Sequence, residues 1–284
     1  MQLGNYELDD IYCGDSAVML AGLPDASIDL TVTSPPYDNL RVYHGYSWDF
    51  TAIATQLYRV TKPGGVAVWV VGDATVNGSE TGSSFRQALG FMVVGFNLHD
   101  TMIYRRKTKP LNHNRYEQEF EYMFVFSRPG VSVVCNHIKV PSLRPGREYD
   151  RQTQRHRDEN GIPSKNEGEW KTKDEKVVGN IWEYYAGNAQ NGDKKSHDHP
   201  AIFPEALARD HIISWSNPGD IVLDIFAGSG TTAKMSKVLS RHWLGFEISE
   251  EYVTLARRRV EYAPTPLPLF VENVQPKPEQ TSMF

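Results

Sequence analysis

A chain of 284 residues, 40% of them hydrophobic, can bury a sizeable core in one or two domains. It holds no apolar run of about 18 residues and its start, MQLGNYELDD, is polar and acidic, so neither a membrane segment nor a secretory signal is expected. Cys13 and Cys135 lie far apart without CxxC spacing, which excludes a disulfide scaffold and fits a reducing, cytoplasmic setting. The formal net charge of -5 does not by itself point to nucleic acid, although a whole-chain charge can hide a basic face.

In chain order, strands are expected at Ile28 to Ser34, Gly64 to Asp73, Phe120 to Ser127, Ile221 to Gly228 and His242 to Ile248. Most run nearly continuously apolar, as strands covered on both faces do. Helical patterns fall at Phe50 to Val60, ahead of a Lys62-Pro63-Gly64-Gly65 turn, and at Glu205 to Trp215, Thr231 to Leu239 and Glu250 to Val260. Strands alternating with helices imply βαβ units and a doubly wound α/β fold with a largely parallel sheet. Residues 129–180 differ: they are polar, with basic and acidic residues interleaved, and read as an insertion with little core of its own. Residues 263–284 are proline-rich and read as an extended arm. The division expected is therefore 1–128, the insertion 129–180, 181–262 and the arm 263–284.

Two motifs carry chemistry. The first, Asp224-Ile225-Phe226-Ala227-Gly228-Ser229-Gly230-Thr231-Thr232, sits where a strand meets a helix. Glycines there permit a tight turn and a close backbone approach to a ligand. Glu247 ends the next strand, about twenty residues on, where a carboxylate can accept both hydroxyls of a ribose, so a nucleoside-bearing cofactor is indicated. The loop lacks the third glycine of the dinucleotide fingerprint, and an ordinary strand–helix turn is the alternative. The second motif, Ser34-Pro35-Pro36-Tyr37, ends the first long strand. Consecutive prolines fix φ and lack N–H groups, which leaves rigid carbonyl acceptors beside an aromatic ring. That rim suits a planar ligand with an NH2 group, donating to the Ser34 side chain and the Pro35 carbonyl while Tyr37 stacks; a Pro-Pro turn capped by a core tyrosine is the alternative.

Together the motifs resemble the amino-methylating DNA methyltransferases, whose pattern carries a (D/N/S)-P-P-(Y/F/W) tetrad and an F-x-G-x-G loop. The tetrad precedes the loop, which is the order of the family's β class. Cys13-Gly14-Asp15, Asn180-Ile181-Trp182 and His199-Pro200-Ala201-Ile202-Phe203-Pro204 resemble further segments of that pattern, so the likeness covers nearly the whole chain.

The resemblance implies a Rossmann-like S-adenosylmethionine-dependent sheet with the insertion as target-recognition region. It implies that Glu247 holds the ribose, that Phe226, Gly228, Gly230 and Thr231 line the cofactor, and that Asp224 orients the loop. Asp15 is expected near the adenine amino group and Phe203 against the cofactor. Ser34, Pro35, Pro36 and Tyr37 form the catalytic set, and the base is flipped out of double-stranded DNA.

A basic cluster, Arg105, Arg106, Lys107 and Lys109, follows an aromatic-containing strand; with Arg144, Arg147 and Arg151 of the insertion it is expected to contact DNA, a solvated loop being the alternative. His44, His113, His197 and His199 fall in no metal-ligand frame, and no metal is expected. A C5-cytosine enzyme would need a cysteine nucleophile, which neither Cys13 nor Cys135 suits. Methylation of RNA or of a small molecule, and non-catalytic DNA binding on the same scaffold, compete with the DNA-methylating assignment. Ser-Pro-Pro-Tyr is common among N4-cytosine enzymes. Adenine enzymes dominate among relatives of this motif order and length, and Tyr43 to Trp48 could wall a purine pocket, so N6 of adenine is the expected target and N4 of cytosine the alternative. A bacterial or phage-type restriction-modification setting and a homodimer are expected from the class.

Overall fold

The computed structural model describes residues 1–36, 48–106, 115–150, 155–157, 163–165, 169–184 and 203–264. The chain divides into a larger unit, Met1–Asn136 with Asn180–Pro268, and a smaller unit containing His137–Gly179.

The larger unit is built on eight strands: β1 Asp10–Cys13, β2 Ile28–Thr33, β3 Thr61–Val71, β4 Asn97–Arg106, β5 Phe120–Ser127, β6 Ile181–Tyr184, β7 Ile221–Asp224 and β8 His242–Glu247. They form one sheet in the order β6-β4-β5-β3-β2-β7-β8-β1. All neighbours pair in parallel except β5, which runs antiparallel to both β4 and β3. Val66 to Val71 are buried without alternation, as a central strand covered on both faces requires. The helices are α1 Ser16–Leu20, α2 Phe50–Val60, α3 Ser83–Val93, α4 Glu205–Trp215, α5 Thr231–Val238 and α6 Glu250–Glu261. α1, α2 and α3 pack on one another, and α4, α5 and α6 do likewise, so each face of the sheet has its own helical layer.

Local chemistry explains the boundaries. The Asp49 side chain accepts from Ala52 N at 3.1 Å to cap α2, whose Ile53, Ala54, Leu57 and Val60 face the core at helical spacing. Ser249 caps α6, with Glu250 and Glu251 in its first turn and Arg258 and Arg259 in its last, matching the helix dipole at both ends. α2 and α4 have the bounds expected from sequence. β2 and β8 each end one residue earlier than expected, and three strands differ further. β7 ends at Asp224 rather than running to Gly228, because the glycine loop begins there. β3 takes in the expected Lys62 to Gly65 turn. β4 extends through Arg105 and Arg106, which therefore lie in the strand and do not follow it.

In the smaller unit, Lys139–Pro141 pairs with Glu175–Val177, Glu148–Asp150 with Glu169–Lys171, and Arg155–Arg157 with Pro163–Lys165, all antiparallel. The pairs nest one inside another, and bonds such as Ser142 N to Asp174 O (2.7 Å) and Gly146 N to Thr172 O (2.9 Å) bridge the gap between the first two. Those two pairs form a two-stranded ribbon, and the described side chains of this unit are almost all solvent-facing.

Candidate active site

Seven parallel strands have their carboxyl ends on one edge of the sheet, and most of the sequence-derived site residues whose placement is described lie along it. Ser34, Pro35 and Pro36 follow β2; next along the edge come the Asp224 to Gly230 loop after β7, Glu247 at the end of β8, and Cys13, Gly14 and Asp15 after β1. In open α/β sheets this edge is where ligands bind.

The first two of these segments are joined by a side-chain bond. Thr33 Oγ1 donates to Asp224 Oδ1 at 2.7 Å, and the same oxygen accepts the Phe226 N–H at 3.1 Å. Asp224 thus holds the start of the loop that follows it and also ties it to the residue before Ser34. Burial pushes its carboxyl up to about 6, against the lowering effect of the Thr33, Thr232 and Phe226 bonds. Thr232 Oγ1 donates to Val32 O at 3.2 Å, and the Ser16 hydroxyl donates to Ile225 O, so α5 and α1 are tied to the same spot.

Glu247 is buried, and its oxygens accept the backbone N–H groups of Gly228 at 2.8 Å and Ser249 at 3.0 Å. Burial raises its pKa, and backbone bonds from Ser249, Gly228 and Ile248 work against the rise. An ionised carboxylate has about four acceptor positions, so capacity remains for a ligand hydroxyl. Gly230 starts α5 with φ +76°, and a Cβ there would lie 2.8 Å from the Ala256 Cβ; only glycine meets both constraints.

The other expected residues have the following places and partners. Asp15 is the N-cap of α1 and accepts from Ala17 N at 2.9 Å and Val18 N at 3.2 Å. The Phe226 ring packs against Trp48 (centroids 5.4 Å apart) and Trp69 (6.2 Å), so much of it belongs to the core. Phe203 is half-buried two residues before α4, and Thr231 is buried at the start of α5. Arg105 faces Glu119 at 3.2 Å and Arg106 faces Glu121 at 2.9 Å, so both cations already have carboxylate partners. They end β4, separated from the Ser34 segment by β5 and β3. Arg144 and Arg147 are exposed in the smaller unit. Tyr37, Lys107, Lys109 and Arg151 lie outside the described residues.

Sequence reasoning gave no role to Thr33 and Thr232, which flank or end its motifs, and missed Ser16 and Arg259. Arg259 is buried and donates to Ser229 O at 2.5 Å and Ser229 Oγ at 2.7 Å. Its signal was legible: it falls on the stripe of Val253, Ala256 and Val260, where a core residue belongs.

A family model described as DNA methylase, of the N6/N4 type, matches residues 28–258. The chain belongs to this family. It is similar to the orphan methyltransferase M.BamHII of Bacillus amyloliquefaciens, 50% identical over 258 residues, 86% of this chain and 92% of that protein. It is also similar to the type II methyltransferase M.BglII of Bacillus subtilis, 29% identical across 88% of this chain and 68% of that one. Among solved structures, the cytosine-N4-specific PvuII DNA methyltransferase has a TM-score of 0.61 at 22% identity, covering 88% of this chain and 85% of its own. The complex of M1.HpyAVI with SAM has a TM-score of 0.57 at 22% identity, covering 88% and 98%. No helix among the described residues is long and apolar enough to cross a membrane.

Proposed function

We propose that this DNA methylase moves a methyl group from S-adenosylmethionine to the exocyclic amino nitrogen of a base flipped out of duplex DNA. The Thr33–Asp224 bond carries the reading: one residue beyond Thr33 begins the Ser-Pro-Pro rim, and one residue beyond Asp224 begins the glycine loop. Donor and acceptor sites are neighbours on that basis. The residues fit the cofactor, because Glu247, at the end of β8 beside the glycine loop, retains acceptor capacity for a ribose hydroxyl. S-adenosylmethionine, when bound, supplies an electrophilic methyl group. Glu247 binds and orients the ribose. The Ser34 hydroxyl and Pro35 carbonyl accept the two amino hydrogens, drawing them out of the ring plane so that the nitrogen lone pair can attack in line. Holding the two partners in that alignment can contribute about 7–11 kcal/mol to the barrier reduction.

For DNA, the ribbon 139–177 is the proposed reader. The major groove admits a two-stranded β-ribbon, and from Arg144 to Arg157 this one has Arg144, Arg147, Arg151, Arg155 and Arg157 against Glu148 and Asp150.

For the base, the stretch Tyr43 to Trp48 favours N6 of adenine if it walls a purine pocket. Trp48, however, packs its ring on Phe50, Trp69 and Phe226. Ser34 in the tetrad supports N4 of cytosine, which is the base proposed here; N6 of adenine is the alternative. The proposal includes action in the cytoplasm. It also keeps the homodimer, which the exposed Phe85, Leu89, Met92 and Val93 of α3 support.

Nucleoside mass spectrometry of duplex DNA incubated with protein and S-adenosylmethionine tests the reading. N4-methylcytosine is expected. N6-methyladenine alone would shift the base and keep the enzyme; tight cofactor binding without any methylated nucleoside would favour a non-catalytic DNA-binding role.

A further inference from the structure

α6 carries a charged residue on its buried stripe, Arg259, which is 3% exposed. Taking a guanidinium out of water is unfavourable, and an apolar side chain would fill a helix stripe without that penalty. Both terminal nitrogens of the cation are nevertheless matched. One terminal nitrogen donates to Ser229 O (2.5 Å) and Ser229 Oγ (2.7 Å), with Thr231 Oγ1 at 3.4 Å; the other donates to Glu205 Oε1 at 3.1 Å. Glu205 Oε1 also accepts from Lys234 Nζ at 2.7 Å. Glu205 opens α4 two residues after Phe203, and Lys234 lies on α5. A single guanidinium therefore joins the glycine loop, the start of α4 and the end of α6.

The loop is gripped from both sides. Glu247 holds the Gly228 N–H at 2.8 Å, and Arg259 holds the carbonyl and hydroxyl of Ser229, the next residue. Gly230 then turns into the left-handed region to start α5. Freeing the Ser229 carbonyl would free the peptides next to the Glu247 bond, and a loop that must be ordered by its ligand binds it more weakly.

We propose that Arg259, supported by Glu205 and Lys234, is a positioning residue for cofactor binding: it sets loop 227–231 and the Phe203–Glu205 segment in their binding arrangement before the cofactor arrives. The proposal rests on the cofactor site assigned above.

Arg259→Lys tests it, since lysine keeps the charge and loses the fork. Calorimetry with S-adenosylmethionine should show affinity weakened about tenfold, in line with loss of one charge-assisted bond. The KM for cofactor should rise with it, while kcat and the KM for DNA stay within about threefold. In cofactor-free protein, amide exchange should quicken at Gly228 to Thr232 and stay unchanged at Val66 to Val71. Glu205→Gln should act in the same direction and less, because the Ser229 bonds remain. Ser229→Ala, which removes the Oγ acceptor alone, carries the test if Arg259→Lys does not fold. A cofactor affinity unchanged in Arg259→Lys, or faster exchange spread evenly over the protein with unchanged affinity, would overturn the proposal as a purely structural role. Glu247→Ala separates the two readings: if it weakens cofactor binding and Arg259→Lys does not, positioning fails and the site stands; if neither does, the site assignment fails with it.

Discussion

Around the glycine loop, polar groups are buried and held by their neighbours; along the ribbon 139–177 they face solvent. Asp224, Glu247, Ser229, Thr231, Thr232 and Arg259 are all buried, whereas Arg144, Arg147, Lys171, Lys173 and Lys176 are exposed. The difference accords with what each region is proposed to recognise. A small ligand of fixed shape is bound best by groups already locked in place, because binding then loses little entropy in ordering them. A charged polymer is bound by mobile cations that displace its counterions, and fixing them in advance gains little. Substitutions in the two regions should therefore fail in different ways.

The largest effect is expected from Glu247→Ala. A hydrogen bond to the ribose is lost, worth about 1.5–3 kcal/mol when one partner is charged. The Gly228 and Ser249 N–H groups lose their acceptor as well, so stability falls together with affinity. Calorimetry should show the affinity for S-adenosylmethionine reduced by well over about tenfold, with DNA binding in the absence of cofactor largely retained. An unchanged dissociation constant would mean that the ribose partner lies elsewhere.

Ser34→Ala comes next and acts on rate alone. Removing one polar contact to the reacting amino group should cost about 2.7–4 kcal/mol of barrier, or about 10²–10³ in transfer rate, while cofactor affinity stays as in the wild type. Tyr37→Ala should behave alike. Transfer of tritiated methyl within about twofold of wild type in both variants would remove the catalytic role from this segment.

The contrast between the two regions also explains what could be read from the chain. α2 and α4 were legible to the residue because their apolar faces repeat at helical spacing and their ends carry stop signals, Lys62-Pro63 and Asn217-Pro218-Gly219. α3 was not, because Phe85, Leu89, Met92 and Val93 are exposed and its N-cap, Gly82, offers no side chain. β1 has four residues, Asp-Ile-Tyr-Cys, with Ile11 alone buried, too little pattern to register. The candidate site was legible where the backbone itself makes the chemistry, at the glycines and prolines. It was hidden where a bond joins residues distant in sequence, as between Thr33 and Asp224. No local pattern announces such a pair.

Asp224→Asn tests the buried region through pH. Burial holds the Asp224 carboxyl at about 6, above the ordinary value near 3.9, so the folded protein binds this proton more tightly than the unfolded chain. A raised carboxyl favours folding below its unfolded pKa, and that benefit is lost as pH rises through the folded value. The wild type should therefore lose stability relative to Asp224→Asn between about pH 4 and pH 6, and the difference should be flat above that range. The asparagine Oδ1 can still accept from Thr33 and Phe226, so the variant should fold. Denaturant midpoints at several pH values measure it, and parallel curves would show that Asp224 is ionised as readily as in water.

The smallest effects belong to the exposed cations, and they separate two kinds of arginine. Arg144 faces solvent on the ribbon, whereas Arg105 and Arg106 face Glu119 and Glu121. Each cation that neutralises a phosphate releases counterions and adds about 0.9 to the slope of log affinity against log salt. Arg144→Ala and Arg147→Ala should each weaken DNA binding by similar amounts on any sequence and lower that slope by about 1. A cation that already sits against a carboxylate has less charge to offer, so Arg105→Ala should lower the slope by less. Fluorescence anisotropy with short duplexes over a range of salt concentrations gives all three slopes. Equal losses from Arg105 and Arg144 would mean that the Glu119 pair opens when DNA binds. A full slope retained in both ribbon variants would move the phosphate contacts off the ribbon, and the proposed reader of DNA would have to be sought elsewhere on the chain.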